Sequence, residues 1–174
     1  MTKIIVMTDI HITSEGTDII GLNPLDRFQD VFKSALTDHP DAAYMILMGD
    51  LTHLGECDQY LRLQHVLAHS PVPVIAMLGN HDIREKFREV FVDAPRDQND
   101  FVQHIIDLPH HRIITLDTKD GPFGHHAGRL CPARIAWLQA ALDGAQGRIP
   151  LVFMHHPPFE TGIVGMDAIN LENG

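Results

Sequence analysis

Four short stretches of this chain concentrate oxygen and nitrogen donors: Thr8-Asp9-Ile10-His11, Gly49-Asp50, Gly79-Asn80-His81-Asp82 and His155-His156-Pro157-Pro158. A carboxylate and an imidazole two residues apart, as in Asp9-x-His11, point the same way on an extended chain and can hold one metal ion. Asp50 follows a glycine that lets the backbone turn tightly, and its two carboxylate oxygens can bridge two ions. Asn80 offers a neutral carbonyl oxygen and His155 an imidazole. The set is mixed oxygen and nitrogen, which suits Mn, Fe, Zn or Co rather than a thiolate-preferring metal. The two cysteines, Cys57 and Cys131, form no CxxC pair and read as neither a thiolate zinc site nor a disulfide framework.

Each of these stretches lies at the end of a predicted strand. Apolar runs predict strands over Lys3–Thr8, Ala43–Met48, Pro73–Leu78 and Ile149–Met154, with Phe101–Asp107 and Arg112–Asp117 as antiparallel neighbours. Helical spacing predicts helices over Pro24–His39, Glu56–Ser70, Asp82–Val92 and Pro132–Asp143, the last opened by proline and followed by Gly144. In it Ile135, Trp137, Leu138 and Leu142 read as core. This alternation predicts an α/β fold, in which ligands bind beyond the carboxyl ends of the strands. The tail, Pro157–Gly174, carries turn residues and few core positions.

Length and composition bound the function. The chain has 174 residues, 44% of them hydrophobic, and 13 Lys+Arg against 23 Asp+Glu give a net charge of −10. That fits one soluble globular domain and excludes a disordered chain. The acidic balance disfavours a nucleic-acid polymer or an anionic membrane as partner. No apolar run reaches the ~18–20 residues of a spanning helix, the N-terminus lacks a signal-peptide pattern, and the cysteine usage fits the cytoplasm. The 13 histidines are as numerous as all Lys and Arg together. His39, His65, His69, His104, His110 and His111 read as solvated. His53 stands open between lining the site entrance and facing solvent. His125 and His126 fall in the Gly-rich loop Gly121–Gly128, read as a mobile surface loop in preference to one that reaches the substrate.

In order and approximate spacing, Asp9-x-His11, Gly49-Asp50, Gly79-Asn80-His81-Asp82 and His155-x-Pro157 resemble the motifs of the calcineurin-like metallophosphoesterase superfamily. MLGNHD followed by IREKFREVF, then GRLCPARIAWLQAAL, then VFMHHPPF is similar to the bacterial class III cyclic-nucleotide phosphodiesterases and glycerophosphodiesterases. The resemblance runs from Ile4 to about Asp167. It implies a single catalytic domain over residues 1–174, a four-layer αββα sandwich of two mixed sheets with flanking helices. It also implies a centre of two divalent or trivalent ions. Asp9, His11 and Asp50 would bind the first, and Asp50, Asn80 and His155, rather than His156, the second. His81 would face the substrate phosphate as the catalytic group, oriented by Asp82.

The activity implied is metal-dependent hydrolysis of a small phosphodiester, a cyclic nucleotide or a glycerophosphodiester. Phosphomonoesterase or nuclease activity on the same scaffold, or a non-catalytic metal-binding remnant, are the rival readings. The family's later Gly-His-x-His segment does not occur after Pro158, and Gly124-His125-His126 lies in the wrong order to replace it. The chain is therefore expected to be a C-terminally truncated copy, with any homo-oligomer forming through the missing part.

Overall fold

The computed structural model describes residues 2–174. The β-branched and methionine-rich runs form strands β1 (Lys3–Met7), β2 (Ala42–Met48) and β3 (Val74–Met77), which pair in parallel in that order. Strands β4 (His104–Asp107), β5 (His111–Thr115) and β6 (Ile149–Phe153) form a second sheet, antiparallel between β4 and β5 and parallel between β5 and β6. The expected pair of mixed sheets is thus one parallel sheet and one mixed sheet among the described residues. Between them Ile46, Ile75 and Met77 of the first pack against Ile113 of the second. The outer face of the first sheet is covered by helices α1 (Pro24–Asp38) and α2 (Cys57–Leu67), through Phe28, Phe32, Tyr60 and Leu63 packed on Met45 and Leu47.

Local sequence explains the helix starts. Asn23 caps α1, its side chain accepting from the amides of Leu25 and Asp26, with Pro24 at the first helical position. Such a cap is worth about 1 kcal/mol. Helix α3 (Arg84–Val90) starts two residues later than predicted, because Asp82 is buried beneath the preceding loop. The strand expected over Phe101–Asp107 begins only at His104: the amide of Val102 is taken by Asp117 and that of Gln103 by the carbonyl of Phe101.

On α4 (Pro132–Asp143) the expectation for Ile135 is corrected, since this side chain is 47% exposed. The helix buries Arg134 instead, whose guanidinium donates to the carbonyls of Asp117 and Lys119. Trp137 and Leu138 pack, partly buried, on Leu116, Leu130 and Leu171. Leu171 also anchors the tail, which folds back beyond the short α5 (Val164–Asp167), and the Asn173 side chain bonds both the amide and the carbonyl of Leu130. The tail holds more core than its composition suggested.

Candidate metal centre

The loops after β1 and β2 run side by side, the amides of Asp9 and His11 donating to the carbonyls of Gly49 and Asp50. Asp9, His11 and Asp50 all adopt the left-handed backbone region, with φ of 55°, 45° and 48°. That conformation costs a non-glycine residue roughly 1–2 kcal/mol, and strain of this kind clusters where a site needs it. Asp9 and His11 therefore do not converge by strand alternation, as the spacing suggested. Two kinked residues bring them together beyond the end of β1.

Asp50 lies at the middle, 4% exposed. Its Oδ2 is 3.6 Å from Nε2 of His11, and its Oδ1 is 3.4 Å from Nε2 of His155 while accepting the amide of His81 at 2.9 Å. Asp9 Oδ1 approaches the same His11 nitrogen at 3.9 Å. On the other side, Oδ1 of Asn80 is 3.2 Å from His155 Nε2. His155 donates its Nδ1 proton to the carbonyl of Met48, which turns Nε2 inward. Burial draws the His11 imidazole below its ordinary range, helped by His81 and His53 and opposed by Asp50 and Asp9. The neutral imidazole is the form that ligates metals.

Two glycines make room. A Cβ at Gly79 would collide with the Asp50 carboxylate and meet Nε2 of His155 at 2.8 Å, and one at Gly49 would meet the His155 ring at 2.6 Å. The cleft in front, about 260 Å³, is lined by Asp9, Asp50, Asn80, His81, His126, His155, His156, Pro157, Met166 and Ile169.

His81 stands at this cleft, its ring 4.7 Å from that of His11, with Nδ1 donating to the carbonyl of His53. Asp82 does not orient it, contrary to expectation. The Asp82 carboxylate is fully buried and accepts from the amides of Leu51, Thr52 and Gly79 and from the hydroxyls of Thr52 and Tyr60. Burial pushes its pKa up to about 6. It braces the loops that carry the donors. His156, beside His155, turns the other way: it is 1% exposed, bonds Thr118 Oγ1 through Nδ1, and is driven down to about 3 by burial and by His155.

Two residues outside the expected set join the site. His53 stacks on His81 with ring centroids 5.5 Å apart, and ring nitrogens of His11, His53 and His81 all lie within 4.8 Å of one another. His126 reaches Asn80 from the β5–α4 loop, Nδ1 to Nδ2 2.9 Å. The adjacency of His53 to Asp50 was a signal for the first. For the second, the Gly-rich loop offered only a choice between the surface and the substrate, because a residue 46 positions away meets Asn80 only through the fold.

The sequence model of the calcineurin-like phosphoesterases matches residues 2–171. The chain belongs to this family. Within it, the chain is 44% identical over 172 residues to a probable cyclic nucleotide phosphodiesterase of Rhodopseudomonas palustris, covering 98% of this chain and 63% of that protein. It is 30% identical over 174 residues to a glycerophosphodiester phosphodiesterase of Enterobacter lignolyticus, covering 97% of this chain and 61% of the relative. It is 27% identical over 171 residues to a 3',5'-cyclic adenosine monophosphate phosphodiesterase of Pseudomonas aeruginosa, covering 98% and 60%. This calcineurin-like chain thus spans less than two thirds of the length of these relatives. None of its helices, among the described residues, is long and apolar enough to cross a membrane.

Proposed function

We propose that this chain carries the catalytic residues for hydrolysis of a small phosphodiester at a dinuclear metal centre. The observation that carries the reading is Asp50, whose Oδ2 faces His11 and whose Oδ1 faces His155. A buried carboxylate with one oxygen turned to each of two donor groups is the geometry of a bridging ligand. Nε2 of His11 faces Asp50 Oδ2 and Asp9 Oδ1 at 3.6 and 3.9 Å, and Nε2 of His155 faces Asp50 Oδ1 at 3.4 Å, a set of imidazole and carboxylate donors that fits divalent ions. Asp9, His11 and Asp50 would hold the first ion, and Asp50, Asn80 and His155 the second. Divalent ions bound there would supply Lewis acidity, lowering the pKa of water toward ~7 and neutralising phosphoryl charge.

The chain's own residues do the rest. His81 commits Nδ1 to the His53 carbonyl, which leaves Nε2 free at the cleft. In its protonated form Nε2 donates to a phosphoryl oxygen or to the departing alkoxide, a contribution of about 10²–10⁴-fold for a positioned acid. Asp9, more than half exposed, borders the open side where substrate enters. The relatives named for cyclic nucleotide and glycerophosphodiester substrates point to those small diesters.

Side-by-side assay of a cyclic nucleotide, a glycerophosphodiester and a simple phosphomonoester with Mn²⁺ tests the reading. Diester turnover is expected to dominate and to fall about 10²–10⁴-fold in His81→Ala with metal content unchanged. A strong monoester preference, or loss of metal in His81→Ala, overturns it.

A further inference from the structure

The loop between β5 and α4 contributes one side chain to the centre that the dinuclear reading does not use. His126 Nδ1 lies 2.9 Å from Asn80 Nδ2. An amide nitrogen only donates, so His126 accepts on Nδ1 and that nitrogen carries no proton. The same bond fixes the amide's orientation. With Nδ2 drawn to His126, Oδ1 is turned toward His155 Nε2 at 3.2 Å, the side on which Asp50 also stands. A terminal amide rotates between two nearly equivalent settings. The alternative setting would aim two N–H groups at the ion in place of an oxygen.

The loop is built to deliver this histidine. The Lys119 ammonium, in a residue 4% exposed, donates to the carbonyls of Asp120 at 3.2 Å and Pro122 at 3.3 Å, and reaches that of His125 at 3.5 Å. A bridge between Lys119 and Gly128 closes the loop, and the Gly128 amide bonds the carbonyl of Asn170 in the tail. Gly128 lies so close to His156 that a Cβ there would collide with the imidazole. His126 is thus held on a short loop pinned at both ends, while its ring stays exposed at the cleft.

We infer that His126 is a positioning residue for the second ion: it clamps the Asn80 amide so that Oδ1, not Nδ2, faces the metal, and Lys119 holds the loop that presents it. The inference rests on the dinuclear reading for its metal, but the clamp itself is a property of the metal-free chain. Two measurements separate them. In metal-free protein, ¹⁵N NMR is expected to show His126 with Nδ1 unprotonated and Nε2 protonated, and the Asn80 side-chain amide signals to move in His126→Ala. In a Mn²⁺ titration followed by electron paramagnetic resonance, His126→Ala is expected to weaken the second ion about 10–100-fold, the range for a partner that orients a ligand, and to leave the first unchanged. His126→Gln, which keeps an acceptor in reach of Asn80, is expected to recover most of the loss.

Equal weakening of both ions, or wild-type affinity for both in His126→Ala, overturns the clamp. So does a proton on His126 Nδ1 in the metal-free chain. Uptake of a single Mn²⁺ by the wild type sinks the dinuclear reading instead, and an Asn80 amide insensitive to His126→Ala then sinks the clamp as well.

Discussion

On the His155 side of Asp50, each donor is held by a further hydrogen bond: His155 to the Met48 carbonyl, Asn80 to His126, and Asp50 itself to the His81 amide. On the His11 side the side chains have little such support. Among the described residues the Nδ1 of His11 is buried without a partner, and the Asp9 side chain keeps a single hydrogen bond, from the Thr8 hydroxyl at 2.6 Å. That half is shaped by its backbone, with both residues in the left-handed region. One half-site is preorganised by side-chain hydrogen bonds and the other by main-chain conformation, and the two are expected to fail differently. Hydrogen-bonded donors keep their direction without the ion. Donors on a kinked but otherwise unbraced loop are expected to settle only when the ion arrives.

The largest effect expected is that of Asp50→Ala, which removes the one residue common to both halves. Both ions are expected to be lost and diester turnover to fall to background, read as metal content after desalting and as activity. Retention of one tightly held ion would show that the halves are independent, and the comparison would lose its hinge.

Gly79→Ala presses on the side of Asp50 that faces His155. Gly79 is not among the residues with positive φ, so the substitution acts through space: its Cβ would press on the Asp50 carboxylate and on His155 Nε2. Overpacking of this kind costs about 1–3 kcal/mol. Calorimetric titration with Mn²⁺ is expected to show the His155-side ion weakened far more than the His11-side ion, together with a lowered Tm. Equal weakening would mean that the displaced Asp50 disturbs both halves alike.

These contrasts also mark how far the sequence could be read. Asp9, His11, Asp50, Asn80 and His155 stand in local motifs at strand ends, and strand positions follow from local apolar runs, so the placement of these side chains together and most of their scaffold were legible. The direction of each donor was not, because it depends on partners distant in the chain. Asp9 and His11 were expected to align by strand alternation and instead do so through two positive-φ residues. Asp82 was expected to serve His81, but three backbone amides and two hydroxyls claim its carboxylate first. Ile135 falls on the spacing of a core residue, yet Arg134 takes the inward position on α4 because buried carbonyls await it.

Asp82 braces both halves, bonding the Gly79 amide behind one and the Leu51 and Thr52 amides beside the other. Its substitution is expected to lower stability without favouring either half. Burial, with some help from the nearby Asp50 charge, lifts its folded pKa to about 6 from 3.8, against the opposing bonds from backbone amides and Tyr60. The native state therefore binds this proton more tightly than the unfolded chain. The stabilisation is full below about pH 4 and is lost as pH rises through about 6, on the order of 3 kcal/mol across that window. In metal-free protein, Asp82→Asn is expected to flatten the Tm profile between pH 4 and 6. At pH 7 it is expected to cost about 1–3 kcal/mol, because one acceptor oxygen cannot serve five donors. An unchanged slope would assign that titration elsewhere.

The smallest and most selective change is Thr8→Val. It deletes the hydroxyl that donates to Asp9 Oδ2 and keeps the branched shape at the end of β1. The bond lies at the surface, where water competes for the same oxygen, so its net worth is about 0.5–1.5 kcal/mol. That range corresponds to a loss of about two- to tenfold in affinity for the His11-side ion, with the His155-side ion unaffected. Paired Mn²⁺ titrations of the two proteins resolve a change of this size. A loss well beyond tenfold would mean that the Thr8 hydroxyl, and not the kinked backbone, sets the direction of Asp9. The two halves would then be built by the same means, each on side-chain hydrogen bonds, and the contrast between them would be one of exposure alone.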